Sequence, residues 1–284
     1  MSDRTNLVRE QVSKDYATAV GGEASLCCAG SGCCGPPAQK GVVAKMAGYT
    51  DQELAALPPE AVVNSFGCGN PLAMAELKPG QVVLDLGSGA GIDILLAARF
   101  VGPEGRAIGI DMTDEMIAKA EANIAAAGLK NVEVRKGIIE DMPVEAGTVD
   151  WVISNCVVNL SPEKDRVFAE IARVLKPGGR VSISDIVVEA LPEELRNDPG
   201  LYSACVAGAI SEAEYLQGLR SAGLDAVEVT ERLVYDETQL AAFIDSELPE
   251  SRTNFDQNSS RALAKEMVGK VWSAKFSARK PGDA

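Results

Sequence analysis

The chain has 284 residues, with 41 acidic against 27 basic side chains and a net charge of −14. This length allows one α/β catalytic domain with appended segments, and the negative charge argues against nucleic acid as a partner because phosphates would be repelled. No apolar run approaches the roughly 20 residues that a membrane span requires, and no signal-peptide pattern opens the chain, so we expect a cytoplasmic protein that binds no membrane.

Histidine is absent, whereas cysteine occurs seven times. The commonest general base and nitrogen ligand is therefore missing, and chemistry must use carboxylates or thiols. An odd number of cysteines without an export signal argues against a purely structural disulfide framework. In a reducing cytosol such cysteines more often bind metals or take part in catalysis. They are Cys27, Cys28, Cys33, Cys34, Cys68, Cys156 and Cys205.

The first part of the chain predicts short helices and one irregular loop. Thr50 precedes Glu53 with the spacing of a capping box, which predicts a helix near residues 51–57. The other predicted segments are a helix over residues 4–19, a loop rich in cysteine and glycine over residues 21–37, and helices over residues 60–65 and 71–77.

From residue 82 onward, strands and helices alternate, which predicts a parallel sheet with helices on both faces. The predicted strands cover residues 82–86, 106–110, 132–136, 149–154, 180–186 and 225–230, and the predicted helices cover residues 91–101, 114–127, 163–175 and 211–222. Residues 271–278 alternate apolar and polar side chains and predict a half-buried strand at the edge of the sheet. The pattern of residues 231–269 fits helices packed beside the sheet.

A glycine-rich turn directly follows the first predicted strand. Gly87, Gly89 and Gly91 would let the backbone turn tightly and approach a ligand, and Asp85 precedes them at the carboxyl end of the strand. Asp111 ends the second strand, at the spacing from which an acidic side chain meets a ribose hydroxyl. The glycine turn and Asp111 together indicate a nucleoside-containing cofactor. The alternative is a glycine turn that closes an ordinary βα unit.

The Gly-x-Gly-x-Gly spacing differs from the Gly-x-Gly-x-x-Gly of dinucleotide folds and resembles motif I of the class I S-adenosylmethionine-dependent methyltransferases. The resemblance implies a Rossmann-like sheet, mostly parallel with an antiparallel last strand, with helices on both faces and N- and C-terminal extensions. It implies S-adenosyl-L-methionine as methyl donor. The cofactor-binding residues would be Asp85, Gly87, Ser88, Gly89, Gly91, Asp111, Met112, Ile139, Glu140 and Asn155. For Glu140 and Asp141 the alternative is a solvated surface carboxylate.

Two cysteines lie where ligands bind in such a sheet, outside the carboxyl ends of the strands. Cys156 follows the strand over residues 149–154, and Cys205 lies in the crossover after the next strand. Each could also be a buried cysteine that behaves as a small apolar residue. Cys68 lies between two glycines, on a backbone that we expect to be open, and is interpreted as reactive or ligating.

The four N-terminal cysteines could bind zinc, because four thiolates complete a tetrahedral site. Adjacent cysteines strain a common tetrahedron, however, and four soft ligands on a flexible loop better suit a thiophilic species that is captured and passed on.

With these cysteines located, the chain resembles the bacterial arsenite methyltransferases over nearly its whole length. The segments that carry the resemblance are residues 66–71, 84–91, 154–160 and 204–209 and the cysteine-rich N-terminal loop. The resemblance implies that Cys156 and Cys205 hold As(III), while Cys68 and one of Cys27, Cys28, Cys33 and Cys34 complete a thiol relay. It implies arsenite or its thiol conjugates as substrate, glutathione or thioredoxin as reductant, and no permanent metal.

This interpretation divides the chain into a cysteine-rich N-terminal segment (residues 1–70), a cofactor-binding core (residues 71–186) and a C-terminal part that completes the sheet and contributes to the arsenic site (residues 187–284). Two alternatives stay open. One is a methyltransferase acting on carbon or oxygen of a small organic molecule, which would need a carboxylate base. The other is a non-catalytic metalloid- or zinc-binding protein with a degenerate cofactor fold.

Overall fold

The computed structural model describes residues 3–21, 47–65, 67–189, 191, 196, 202, 205–240, 262 and 264–282. The N-terminal cysteines Cys27, Cys28, Cys33 and Cys34, and the loop predicted around them, lie outside the described residues. In the part of the chain that is described, no helix combines the length and apolar character needed to cross a bilayer.

Seven strands form one sheet in the order β3-β2-β1-β4-β5-β7-β6. They are β1 (Val82–Leu86), β2 (Arg106–Asp111), β3 (Val132–Lys136), β4 (Val149–Asn155), β5 (Leu175–Val188), β6 (Asp225–Val234) and β7 (Val271–Arg279). The β3-β2-β1-β4-β5 pairs are parallel, while β7 is antiparallel to both of its neighbours. The predicted mostly parallel sheet with an antiparallel last strand is confirmed.

The α-helices in the described ranges include α1 (Asp3–Gly21), α2 (Asp51–Ala55), α3 (Pro59–Val63), α4 (Ile92–Val101), α5 (Asp114–Ala127), α6 (Lys164–Val174) and α7 (Glu212–Ser221). The capping box that predicted α2 is present, with Thr50 accepting a hydrogen bond from the Glu53 backbone N–H and the Glu53 side chain accepting one from the Thr50 backbone N–H.

The helix predicted over residues 71–77 is wrong in type and length, because Pro71–Met74 forms one turn of 3₁₀ helix. The Asn70 side chain accepts hydrogen bonds from the backbone of Leu72 and Ala73, which starts the turn. Ala75 is already extended, so the chain leaves the turn at once and runs toward β1.

The edge position predicted for residues 271–278 is also wrong, since β7 lies between β5 and β6. Alternation of apolar and polar residues reports which face of a strand is buried and carries no information on how many strands flank it. The edge belongs to β6, which extends to Val234 where the sequence predicted helical structure from residue 231. Leu233 and Val234 at its end are exposed.

Aromatic packing joins β7 to the helices on one face of the sheet. Phe276 stacks on Tyr215 of α7 with ring centroids 4.1 Å apart, and Phe168 of α6 meets the same Tyr215 edge-on at 5.3 Å. All three rings are buried. Helices α6 and α7 are thereby fixed against one face of the sheet.

Strand order reverses between β1 and β4, whose neighbours β2 and β5 lie on opposite sides. In open α/β sheets ligands bind outside the carboxyl ends of the strands at this reversal. The turn after β1, the end of β2 and the segment after β4 therefore meet at one place on the molecule.

Candidate functional site

A cavity of about 950 Å³, open space at its mouth included, lies at this reversal of strand order. All the predicted cofactor-binding residues except Gly91 line it, namely Asp85, Gly87, Ser88, Gly89, Asp111, Met112, Ile139, Glu140 and Asn155. Gly91 instead begins helix α4 in a left-handed conformation.

The glycine turn and Asp111 form one hydrogen-bonded unit. Gly89 donates its backbone N–H to the Asp111 carboxylate at 2.9 Å, and Thr113 donates to the other carboxylate oxygen at 2.9 Å. Gly87 has φ 62°, and a Cβ there would lie 2.5 Å from the Val157 side chain. Only glycine satisfies both the backbone angle and the close approach.

Three carboxylates crowd the inner end of the cavity. Burial, together with the charges of Asp93 and Asp111, raises the pKa of Asp85 well above its ordinary value. Burial also raises the pKa of Asp93 to about 6, although hydrogen bonds from Tyr49 and Asn155 oppose the shift. Buried carboxylates that lack a cation are costly, so this end of the cavity favours a positively charged ligand.

Asn155, the last residue of β4, connects the cavity to the loop that carries Cys68. Its side chain accepts from the backbone N–H of Gly69 at 3.1 Å and donates to the Gly69 carbonyl at 2.6 Å. It also donates to Asp93 at 3.2 Å, and Asp93 accepts from the Tyr49 hydroxyl at 2.7 Å. The cavity wall and the Cys68 loop are therefore held by one network.

Cys68 and Cys156 form a disulfide, with Cα atoms 5.9 Å apart although 88 positions separate them in sequence. Cys156 lines the cavity. Cys205 carries a thiol that donates to the Cys156 carbonyl oxygen at 2.8 Å. The three cysteines that sequence patterns singled out thus converge beside the cavity.

The open backbone predicted around Cys68 is wrong. Cys68 is 5% exposed and packs within an apolar cluster that also contains Cys156 and Cys205. Its flanking glycines serve close packing instead, because a Cβ on Gly67 would lie 2.2 Å from the Asn155 amide nitrogen and one on Gly69 would lie 2.6 Å from a side-chain oxygen of β5.

Cys156 and Cys205 both have left-handed backbones, with φ 57° and 61°. Among the described non-glycine residues, Ala226 is the one other with a positive φ. Left-handed non-glycine residues cost about 1–3 kcal/mol and cluster at functional sites. The Cys156 backbone N–H donates to the Ser184 carbonyl at 2.8 Å, which helps to hold this conformation.

Two buried ionisable groups flank the thiols. A carboxylate oxygen of Asp185 lies within 4.8 Å of both disulfide sulfurs, and burial raises the pKa of this group to about 7. Burial lowers the pKa of Lys164 to about 8, while the nearby Asp185 and Cys205 oppose the shift. An acid and a base that titrate near neutrality therefore adjoin the cysteines.

Several of these residues escaped sequence analysis. Asp185 had a usable signal, because it lies in the carboxyl half of the last parallel strand, and Asp93 lies in the first turn of the helix after the glycine motif. Tyr49 and the cavity-lining Arg9 of α1 carried no local signal, since tertiary packing alone brings them to the site.

The residues fit S-adenosylmethionine, judged by the chemistry of the donor set. This cofactor carries an ammonium and a sulfonium group, which suit the crowded carboxylates. The Ser88 hydroxyl lines the cavity, is buried, and has no hydrogen-bond partner among the described residues. A polar ligand would satisfy it.

Comparisons with known proteins agree with this geometry. Residues 77–223 match the family described as "Methyltransferase domain". The arsenite methyltransferase of Halobacterium salinarum is 47% identical over 209 residues, which cover 73% of this chain and 53% of that protein. The arsenite methyltransferase of Aquipseudomonas alcaligenes is 42% identical over 165 residues, or 55% of this chain and 47% of that protein. The chain thus spans about half the length of these curated relatives.

A crystal structure of an arsenic(III) S-adenosylmethionine methyltransferase from Chlamydomonas reinhardtii superposes with a TM-score of 0.60. The two sequences are 30% identical, and the superposition covers 87% of this chain and 74% of the Chlamydomonas chain. The family match spans more than half of the chain, and this structural relative is covered over most of its length. The chain therefore belongs to the methyltransferase family and, within it, to the arsenite methyltransferases.

Proposed function

We propose that the chain transfers the methyl group of S-adenosylmethionine to trivalent arsenic, supplied as arsenite or a thiol conjugate of arsenite. One observation carries the proposal: Cys156 lines the cavity of the glycine turn and is disulfide-linked to Cys68, with the Cys205 thiol beside it. The substrate would therefore lie on thiolates at the mouth of the cofactor site.

The cofactor residues have distinct roles in this proposal. Asp111 would accept hydrogen bonds from the ribose hydroxyls, while the Gly89 backbone N–H keeps the Asp111 carboxylate oriented. Asp85 would face the cationic amino-acid end, and Ile139 and Glu140 would surround the adenine. When bound, the cofactor would supply a sulfonium methyl group that a soft nucleophile can attack, with the thioether S-adenosylhomocysteine as leaving group. Gly91 shapes the start of α4.

Cys156 and Cys205 would hold As(III), which is soft and binds thiolates in a pyramid with a lone pair exposed. No general base is needed at the nucleophile, since this lone pair carries no proton. Catalysis then rests on orientation and exclusion of water, which the buried thiols provide. Arsenic is the substrate in this proposal, and we propose no permanent metal.

The thiols would also balance the redox change. Methylation uses the arsenic lone pair and formally raises As(III) to As(V). Oxidation of two cysteine thiolates to a disulfide returns two electrons and restores As(III). An external dithiol or glutathione would then reduce the protein, with thioredoxin the dithiol candidate. The Cys68–Cys156 disulfide has the form expected after such a turnover.

One of the N-terminal cysteines Cys27, Cys28, Cys33 and Cys34 would deliver arsenic to this site. These cysteines belong to the N-terminal segment (residues 1–70), which would precede the cofactor-binding core (residues 71–186) and the C-terminal part (residues 187–284). A relay that must be reduced after each turnover works in a reducing compartment, so we propose the cytoplasm.

Methyl transfer from radiolabelled S-adenosylmethionine to arsenite, with glutathione or thioredoxin present, tests the proposal. The wild type should yield methylated arsenic by chromatography, whereas Cys156→Ser and Cys205→Ser should yield none. Binding of S-adenosylhomocysteine by calorimetry is the control, and both variants should keep it within about threefold, since serine replaces each thiol with little change in volume.

Normal arsenic turnover by both variants would refute the assignment of these thiols. Cofactor binding without any arsenic product from the wild type would favour the alternative, a methyltransferase of a small organic molecule. Where the wild type does methylate arsenic, single Cys→Ser changes at positions 27, 28, 33 and 34 would identify the relay cysteine, as the one whose loss slows turnover.

A further inference from the structure

Helix α1 covers the cavity with one of its faces. Arg9, Val12 and Tyr16 all line the cavity, and their spacing of three and four residues places them on the same side of the helix. The Ser13 hydroxyl, on the same helix, lies 3.2 Å from the Thr113 hydroxyl after β2. Ligand bound in the cavity would therefore contact α1.

Arg9 is the charged residue of this face, and it is buried, with 8% of its surface exposed. Its Nη2 donates to Glu163 at 2.6 Å and pairs with Glu140 at 2.9 Å, and its Nε donates to Glu140 at 3.2 Å. Its Nη1 is buried without a hydrogen-bond partner among the described residues. A buried guanidinium donor left unsatisfied is costly, which points to a ligand that completes it.

Glu140 shows the complementary feature. Its described hydrogen bonds, from Arg9 and from the Ser161 hydroxyl at 2.6 Å, all end on Oε1. The carboxylate is thereby fixed in orientation, and its Oε2 accepts none of these hydrogen bonds. Glu140 lines the cavity and is 4% exposed. A donor and an acceptor therefore lie side by side on the cavity wall.

We infer that Arg9 determines specificity for the nucleobase of the cofactor, with Nη1 donating to a ring nitrogen of adenine while Glu140 accepts from the exocyclic amine. Adenine carries such a pair twice, because N1 and N7 both flank the amine. The inference rests on the proposed function for the identity of the cofactor. Arg9 would then serve adenine recognition as well as attachment of α1.

A cycle that combines protein variants with ligand analogues tests this role in the full-length protein. The ligands are S-adenosylhomocysteine and its 1-deaza and 7-deaza analogues, each lacking one ring nitrogen. The variants are Arg9→Met and Arg9→Lys, the second of which retains a positive charge for Glu140 and Glu163. Dissociation constants are measured by calorimetry, without arsenic.

The matched control is Arg166→Met. Arg166 donates to the same Glu163, at 3.3 Å, but is largely exposed and does not line the cavity. Its replacement should leave the affinity for all three ligands unchanged. Thermal unfolding confirms that each variant is folded, and Arg9→Lys supplies the comparison if Arg9→Met is not.

In the wild type, one deaza analogue should bind about 10- to 100-fold more weakly than S-adenosylhomocysteine, the loss expected for a charge-assisted hydrogen bond. In Arg9→Met that difference should vanish, because the donor is gone, and in Arg9→Lys it should fall, because the single ammonium is shared by Glu140 and Glu163 and lacks the planar fork that reaches the ring. Equal loss of affinity for all three ligands would overturn the inference and leave Arg9 as an attachment for α1 only. Failure of the wild type to bind S-adenosylhomocysteine would overturn both this inference and the proposed function.

Discussion

At the scale of the residue, the site combines strained backbone with buried charge. Cys156 and Cys205 are held in left-handed conformations that serine, like cysteine, adopts only at a cost. The energy is supplied by the surrounding apolar cluster, in which both residues are buried. Asp93 is buried as well, between Tyr49 and Asn155. These residues lower stability in exchange for a preorganised site.

Asp93 makes stability depend on pH. Burial raises its pKa from 3.8 to about 6, so the folded protein favours the protonated carboxyl. Its contribution to the free energy of unfolding is therefore fully present below the unfolded value of 3.8 and lost as pH rises through about 6. Asp93→Asn cannot ionise, so we expect its free energy of unfolding to decline less than that of the wild type as pH rises from 3.8 through about 6. Urea unfolding at several pH values in this interval measures the difference. Parallel curves for the two proteins would contradict the prediction.

At the scale of the element, the short loop of residues 67–69 decides whether Cys68 meets Cys156. Asn155 holds the loop through both backbone groups of Gly69. The absence of a side chain at Gly67 makes room for the Asn155 amide. The sequence shows the two glycines that flank Cys68, but it does not show that they pack against Asn155 of β4.

Gly67→Ala should disrupt this contact, because the new Cβ would lie 2.2 Å from the Asn155 amide nitrogen. We expect a loss of about 1–3 kcal/mol in the free energy of unfolding, the usual cost of overpacking, and slower formation of the Cys68–Cys156 disulfide. Thiol titration during oxidation measures the second effect. Gly282→Ala is the control, since a Cβ there meets nothing within 4 Å. Equal oxidation rates in both variants would show that the loop tolerates the side chain.

At the scale of the whole molecule, the disulfide joins the segment before β1 to the end of β4 across the cofactor site. It closes a loop whose ends are 88 positions apart and which contains β1, β2, β3 and β4. The redox state of the protein and the stability of its sheet are therefore coupled.

Oxidised protein should resist urea more than reduced protein, by about 2–4 kcal/mol, because the cross-link removes conformational freedom from the unfolded chain. Unfolding midpoints with and without a reductant measure the effect. Cys68→Ser cannot form this bond and should respond less to the reductant. If the wild type and this variant respond equally, other cysteines account for the change.

The sequence by itself determined the cofactor-binding half of the sheet and the glycine turn. Strand periodicity, helix capping and the spacing from Asp85 to Asp111 are local properties, readable over short stretches of chain. Only the tertiary structure decided that β7 is interior, that Asn155 hydrogen-bonds to a loop 86 residues away in sequence, and that Arg9 hydrogen-bonds to Glu140, 131 residues away. Such contacts depend on strand order and on the path of the connections, which no local pattern encodes.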